Sequence, residues 1–233
     1  MRSIRTALLI ASLAALVALP AVAQSGPYGN DGGTIRLRFG EFTPSGDGDY
    51  WIDKRNDFTG DEDDFGDDLL AIDYLHPFGA RMSLLLSVSS WEADLAQEYD
   101  DFVAPSGAGI FHTTSFEVTS LETGLVWNLT DRHAKVSPYI GVGGGYYDWT
   151  LTEEGEFIDF TDLSIFFARF NGSGDTFGWF SVFGVEVRLT ESWRAFAEGR
   201  WSEMDDDLSG DFEGLGILDL SGSTIAFGVG WTL

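Results

Sequence analysis

The sequence predicts an all-β protein: an eight-stranded antiparallel up-and-down transmembrane β-barrel with short periplasmic turns and long acidic extracellular loops. Three observations predict it. Eight segments alternate apolar with small or polar residues at period two, the repeat of a strand that sends successive side chains to opposite faces. Their connections alternate short and long, the layout of an outer-membrane barrel. The acids, 38 against 13 bases in 233 residues, concentrate in the long connections.

Composition narrows the alternatives. Hydrophobic residues make up 44% of the chain, too many for a disordered acidic polymer. A formal charge of −25 repels phosphate backbones, so no nucleic-acid partner is expected. The absence of cysteine excludes a disulfide framework, thiolate catalysis and a cysteine-ligated metal. Mean hydropathy near zero excludes a helical membrane bundle but not a barrel, in which only every second strand residue faces lipid.

The first element is an address. Arg2 and Arg5 precede an apolar run from Ala7 to Leu19, then Pro20 and the small triplet Ala21-Val22-Ala23. This is the secretory layout, with cleavage expected after Ala23. The run is short of the ~20 residues a spanning helix needs. Residues 1–23 are therefore expected to be a signal peptide and 24–233 the barrel.

Strands are expected at 33–42, 68–77, 81–91, 114–129, 136–149, 176–189, 193–202 and 223–233. The last is clearest: Ile225, Phe227, Val229, Trp231 and Leu233 alternate with Thr224, Ala226, Gly228, Gly230 and Thr232. The first sets Ile35, Leu37 and Phe39 against Arg36, Arg38 and Gly40. A soluble lipocalin-like barrel would turn its apolar face inward and its charges out. Here the charged positions share a face with glycine, alanine and serine. The aromatics Tyr74, Trp127, Tyr146, Trp193, Trp201 and Trp231 fall mainly near strand ends on the apolar face, where membrane girdles belong.

The inward charges are then Arg36, Arg38, Asp73, Glu122, Glu186, Arg188, Glu198 and Arg200, four bases against four acids. Such balance suits a narrow lumen, because an unpaired buried charge costs several kcal/mol. Eight strands leave room for little beyond side chains, so an ion-pair core that plugs the barrel is favoured over a polar pore. Gly141, Gly143 and Gly145 either make room for long arginines opposite or let the strand bend.

The long connections 43–67, 92–113, 150–175 and 203–222, with Asp68, hold 28 acids and only Lys54, Arg55 and Arg169 as bases. The short turns and their flanks carry Arg81, Arg132, Lys135 and Arg194 against Asp131 and Glu191. One rim is thus acidic and attracts cations. The run from Asp57 to Asp68 does not fit the EF-hand spacing. It and Asp205-Asp206-Asp207 read as solvated surface, with no metal site assigned. The third connection differs. Phe157, Phe160, Phe166, Phe167 and Phe170 form an apolar cluster, and Phe157, Phe160, Leu163, Phe167 and Phe170 recur at helical spacing. Such a cluster can line a mouth for hydrophobic solutes, lie on the outer leaflet, or extend strands above the bilayer.

No catalytic set emerges. His76, His112 and His133 show no metal-ligand spacing. In FHTTSFE, His112 and Ser115 differ in strand parity, so an extended chain points base and nucleophile to opposite faces. No enzyme and no cofactor are expected.

With SPYIGVGGGYYDW (137–149), AFAEGRW (195–201) and STIAFGVGWTL (223–233), the chain resembles the small outer-membrane β-barrel superfamily of OmpA-like, OmpX-like and OmpW-like proteins. Family members usually end in an aromatic residue read by the barrel-assembly machinery; this chain ends in Leu233, with Trp231 and Phe227 at alternating positions before it. The resemblance implies a bacterial outer-membrane location and a monomer in contact with lipid, with lipopolysaccharide (in part through divalent cations) and with that machinery. It implies a non-enzymatic envelope or surface role. A narrow OmpW-like channel for small hydrophobic solutes is the alternative, and a lipid A-modifying enzyme ranks third.

Overall fold

The computed structural model describes residues 32–131 and 133–233; the expected signal peptide lies outside them. Eight strands close a barrel: β1 (Thr34–Pro44), β2 (Asp67–Pro77), β3 (Met82–Val103), β4 (Gly109–Asn128), β5 (Val136–Asp159), β6 (Ser164–Arg188), β7 (Trp193–Glu203) and β10 (Gly222–Thr232). Neighbours pair antiparallel in chain order, and β10 returns to β1 with Trp231 opposite Ile35. A two-stranded ribbon, β8 (Asp205–Asp207) and β9 (Ile217–Asp219), decorates the last loop. A short helix, α1 (Asp49–Asp57), and a 3-10 turn at Glu62–Phe65 occupy the first.

The period-two code gives the barrel two chemically opposite faces. Arg36 and Arg38 are buried while Leu37 and Phe39 stand outside, and Ile225 and Phe227 expose 79% and 66% of their surface. Apolar side chains this exposed form a belt that only lipid can cover favourably. Trp127, Trp193 and Trp231 stand on its turn side and Tyr146, Trp179 and Trp201 on the opposite edge, so the barrel is transmembrane.

The strands have two lengths. β1, β2, β7 and β10 have 11 residues each, about one tilted bilayer crossing. β3, β4, β5 and β6 have 22, 20, 24 and 25, so their distal halves continue as a four-stranded sheet beyond the belt. This corrects two expectations. Segments 92–113 and 150–175 are not loops but hairpins, closed by tight connections at 104–108 and 160–163. The helical spacing of the phenylalanines is not a helix: Phe157 sits opposite Phe166, and Glu156 opposite Phe167, in one β ladder. The pairing that begins in the membrane satisfies every backbone group in turn, so it propagates upward. The spacing arose from counting across the turn that holds Phe160 and Leu163.

The free edges of this sheet are covered. Along β3, Thr59 N–H donates to Glu98 O (2.8 Å) and Glu98 N–H to Thr59 Oγ1 (3.1 Å). Along β6, Asn171 N–H donates to Asp211 Oδ2 (2.8 Å), and Thr176 Oγ1 donates to Asp205 O (2.7 Å). Loops thereby blunt edges that would otherwise template aggregation.

The main apolar core lies in the half away from the short turns. There Trp51, Phe65, Trp91, Phe116, Trp149, Leu151 and Phe212 pack between the inner sheet face, α1 and the last loop. A smaller cluster, Leu75, Leu85, Val126, Tyr139, Phe180 and Val182, fills the lower lumen.

Candidate functional site

The lumen is built by register. Arg36 and Asp73 are directly opposed on β1 and β2, and every second residue of β7 brings Phe196, Glu198 and Arg200 to the same interior. Arg36 Nη2 lies 3.1 Å from Asp73 Oδ2 and 3.2 Å from Glu198 Oε2. Arg38 reaches the same two carboxylates at 3.2 and 3.4 Å. Arg200 pairs with Glu122. Neutral groups complete the network: Ser87 Oγ donates to Asp73 (2.7 Å), Tyr139 OH to Glu198 (2.6 Å) and Tyr147 OH to Glu122 (2.9 Å). Guanidinium faces rest on rings, Arg36 on Phe196 at 4.2 Å and Arg200 on Phe180 at 4.3 Å. Three arginines and three acids, each at most 6% exposed, close the barrel at mid-height.

Six of the eight expected lumen charges therefore meet in one network, and two do not join it. Glu186 pairs with Arg194 (2.5 Å) nearer the turns. Arg194, read as a turn residue, points inward because β7 begins at Trp193. Arg188 is half-buried beside a cavity of about 90 Å³ at the turn end, and no ion pair joins it among the described residues. It lies at the last residue of β6, where Glu186 is already committed. The lumen tyrosines were legible in the SPYIGVGGGYYDW alternation, but polar use of their hydroxyls was not. None of these glycines faces an arginine: a Cβ on Gly143 would stand 2.5 Å from the Phe180 ring, one on Gly145 2.8 Å from Glu122 Cγ, and one on Gly141 2.8 Å from Val182.

A second polar cluster lies outside the membrane-spanning segments, under α1. This helix has no side-chain N-cap, and it docks through Tyr50, Trp51 and Lys54. Lys54 Nζ lies 2.7 Å from Glu153 Oε1, which also accepts from Tyr50 OH (2.8 Å). Lys54 Nζ also lies 3.1 Å from His112 Nε2. An ammonium only donates, so Nε2 must accept and Nδ1 carries the imidazole proton. Burial and the Lys54 charge push the His112 pKa down to about 3. Burial also lowers Lys54, against the pull of Glu153, and raises the Tyr50 phenol. His112 is inward and 2% exposed, whereas Ser115 is outward and bonded to Asp94, so no His–Ser pair forms.

The five loop phenylalanines divide. Phe157 is buried against Phe170 (4.9 Å) and His112 (5.1 Å). Phe160, Phe166 and Phe167 are exposed at the hairpin tip, where Phe102 meets Phe160 at 5.5 Å.

A closed eight-stranded barrel with a lipid-facing belt, a paired ionic lumen and a protruding sheet has the architecture of the small outer-membrane β-barrels. No family model matches the chain, and no curated protein matches it. Among solved structures, the chain is similar to Neisserial surface protein A (NspA), with a TM-score of 0.52, 12% identity, and coverage of 86% of this chain and 97% of that one. A major outer membrane protein from Thermus thermophilus gives 0.49 at 9% identity, covering 86% and 99%. Ail, the attachment invasion locus protein of Yersinia pestis, gives 0.44 at 12%, covering 87% and 99%.

Proposed function

We propose that the protein is a non-conducting, non-enzymatic barrel of the bacterial outer membrane, delivered there by a cleaved signal peptide, with an envelope or surface role. The observation that carries this reading is the filled lumen. The six-charge network closes the barrel at mid-height, and α1 with its aromatic core closes the extracellular half. A solute would have to break buried ion pairs, each expensive to leave half-made. In planar bilayers the purified protein is expected to give no steady single-channel current; a steady current would overturn the reading.

The outer surface supports the role. Going outward from the turns, each strand presents uncharged outward side chains through the belt. On seven of the eight strands an acid then stands just beyond it: Glu41, Asp68, Glu92, Glu117, Asp148, Asp175 and Glu203. Three pairs are directly opposed across strands: Glu41 with Asp68, Glu92 with Glu117, and Asp148 with Asp175. Opposed like charges destabilise a sheet, and hard divalent cations with oxygen ligands relieve them. At this height the carboxylates meet the headgroup layer. Cations shared between them and lipopolysaccharide phosphates would anchor the barrel in that leaflet.

A further inference from the structure

Between the ion-pair network and the aromatic core of the cap lies a cavity of about 30 Å³. Its wall includes Arg38, Trp91, Glu122, Arg200 and Met204. Seven buried side-chain nitrogen or oxygen atoms have no hydrogen-bond partner among the described residues, and four of them belong to this wall: Arg38 Nε, Trp91 Nε1, Arg200 Nε and Arg200 Nη2. All four are donors. Arg200 Nη2 approaches Glu198 Oε1 only to 3.8 Å, too long for a hydrogen bond. On the wall, Glu122 receives Tyr147 OH on one oxygen and Arg200 on the other, Ser89 and Ser120 are bonded to each other at 2.7 Å, and Ser202 and Thr224 add two further hydroxyls.

We propose that this cavity is a site for a monatomic anion of chloride size, held by the indole N–H of Trp91 and the inner N–H groups of Arg38 and Arg200. The site's chemistry is one-sided. The wall's unpartnered atoms are all donors, three of them on guanidinium groups, so the fitting occupant is one that accepts hydrogen bonds. The volume would also admit about two waters, but each water must find acceptors for two protons. On the wall itself two guanidinium groups stand against one carboxylate, while Asp73 and Glu198, the partners of Arg38, lie outside it. The rest of the wall mixes Phe42, Leu69 and Val118 with side-chain hydroxyls, and a volume of about 30 Å³ excludes larger hydrated anions. The inference is independent of whether the barrel conducts.

Crystals of the refolded protein grown in bromide test it directly. The expected result is an anomalous peak in the cavity, within hydrogen-bond reach of Trp91 and Arg200. In detergent solution, chloride and bromide are expected to raise the unfolding midpoint above that in gluconate at equal ionic strength. Trp91→Phe keeps the ring packing and removes one donor, so it should weaken the apparent halide affinity about tenfold, the scale of one hydrogen bond to an ion. Water density alone at high bromide would overturn the site. So would a midpoint that is the same in halide and gluconate.

Discussion

Lys54 shows how one residue can tie a cap to a barrel. It is the only base on α1 whose charge is buried, and Glu153 is its counter-ion. Lys54→Ala should cost about 3 kcal/mol, because it leaves Glu153 buried without its partner. Pairing Lys54→Met with Glu153→Gln removes both charges and keeps an acceptor for Tyr50, and should recover most of that loss; urea unfolding of the four species of the cycle measures it. His112 adds a pH dependence of known sign. Its folded pKa, about 3, lies below the ordinary value of 6.5, so the unfolded chain binds the proton more readily across that interval. Stability from this group is therefore complete above about pH 6.5 and is lost progressively as pH falls toward 3. His112→Gln keeps the acceptor and should flatten that part of the pH–stability curve. Neither residue was singled out by spacing for this role. In the sequence Lys54 reads only as a loop base and His112 only against metal-ligand spacing and Ser115, because the two residues lie 58 positions apart.

At the scale of elements, α1 is held by docking rather than by its own propensity. It has nine residues and no side-chain cap, and helices this short are marginal alone in water. Trp51 is its anchor: 1% exposed, against Phe65 at 5.5 Å and Phe116 at 5.3 Å. Trp51→Ala should cost about 3–5 kcal/mol and open the apolar chamber beneath. Increased binding of a hydrophobic dye, with the barrel's heat-modified gel mobility unchanged, would be the signature. The hairpins tell the complementary story. In the membrane, alternation between lipid and lumen writes the strands into the sequence. Above it, β3 to β6 meet water or loops on their outer face, so polar residues such as Thr150, Thr152 and Glu154 fall where apolar ones stood. The signal fades there while the backbone ladder continues, which is why strand ends near 91, 114, 149 and 176 were expected. The exposed phenylalanines of the β5–β6 tip then added a helical spacing to a segment with no helix.

For the whole molecule, charge is arranged by height. The belt carries none outward, the mid-height lumen network pairs its own, and the surplus of acid stands beyond the belt. Outer-membrane vesicles containing lipopolysaccharide should therefore hold the barrel more firmly with magnesium or calcium than after chelation, read as a drop in unfolding temperature. The quadruple variant Glu92→Gln, Glu117→Gln, Asp148→Asn and Asp175→Asn should lose most of that dependence. An equal drop in wild type and variant would assign the effect to the lipid alone. This ring was only partly legible: the count of acids placed the charge on one rim, but outward direction and cross-strand opposition depend on register.

By itself the sequence determined the membrane-spanning half. Period two, one apolar face and balanced charges on the other admit a single solution in lipid, because every backbone group must be paired and every charge turned from the hydrocarbon. Eight strands, their parity and six charges of the lumen network follow from that constraint. The tertiary structure decided what happens beyond the hydrocarbon, where water satisfies backbone and side chain alike and the pattern loses its force. Only closure of the barrel sets which strands continue, brings α1 down onto them, and gathers Lys54, His112, Glu153 and the Trp91 cavity from distant stretches of chain.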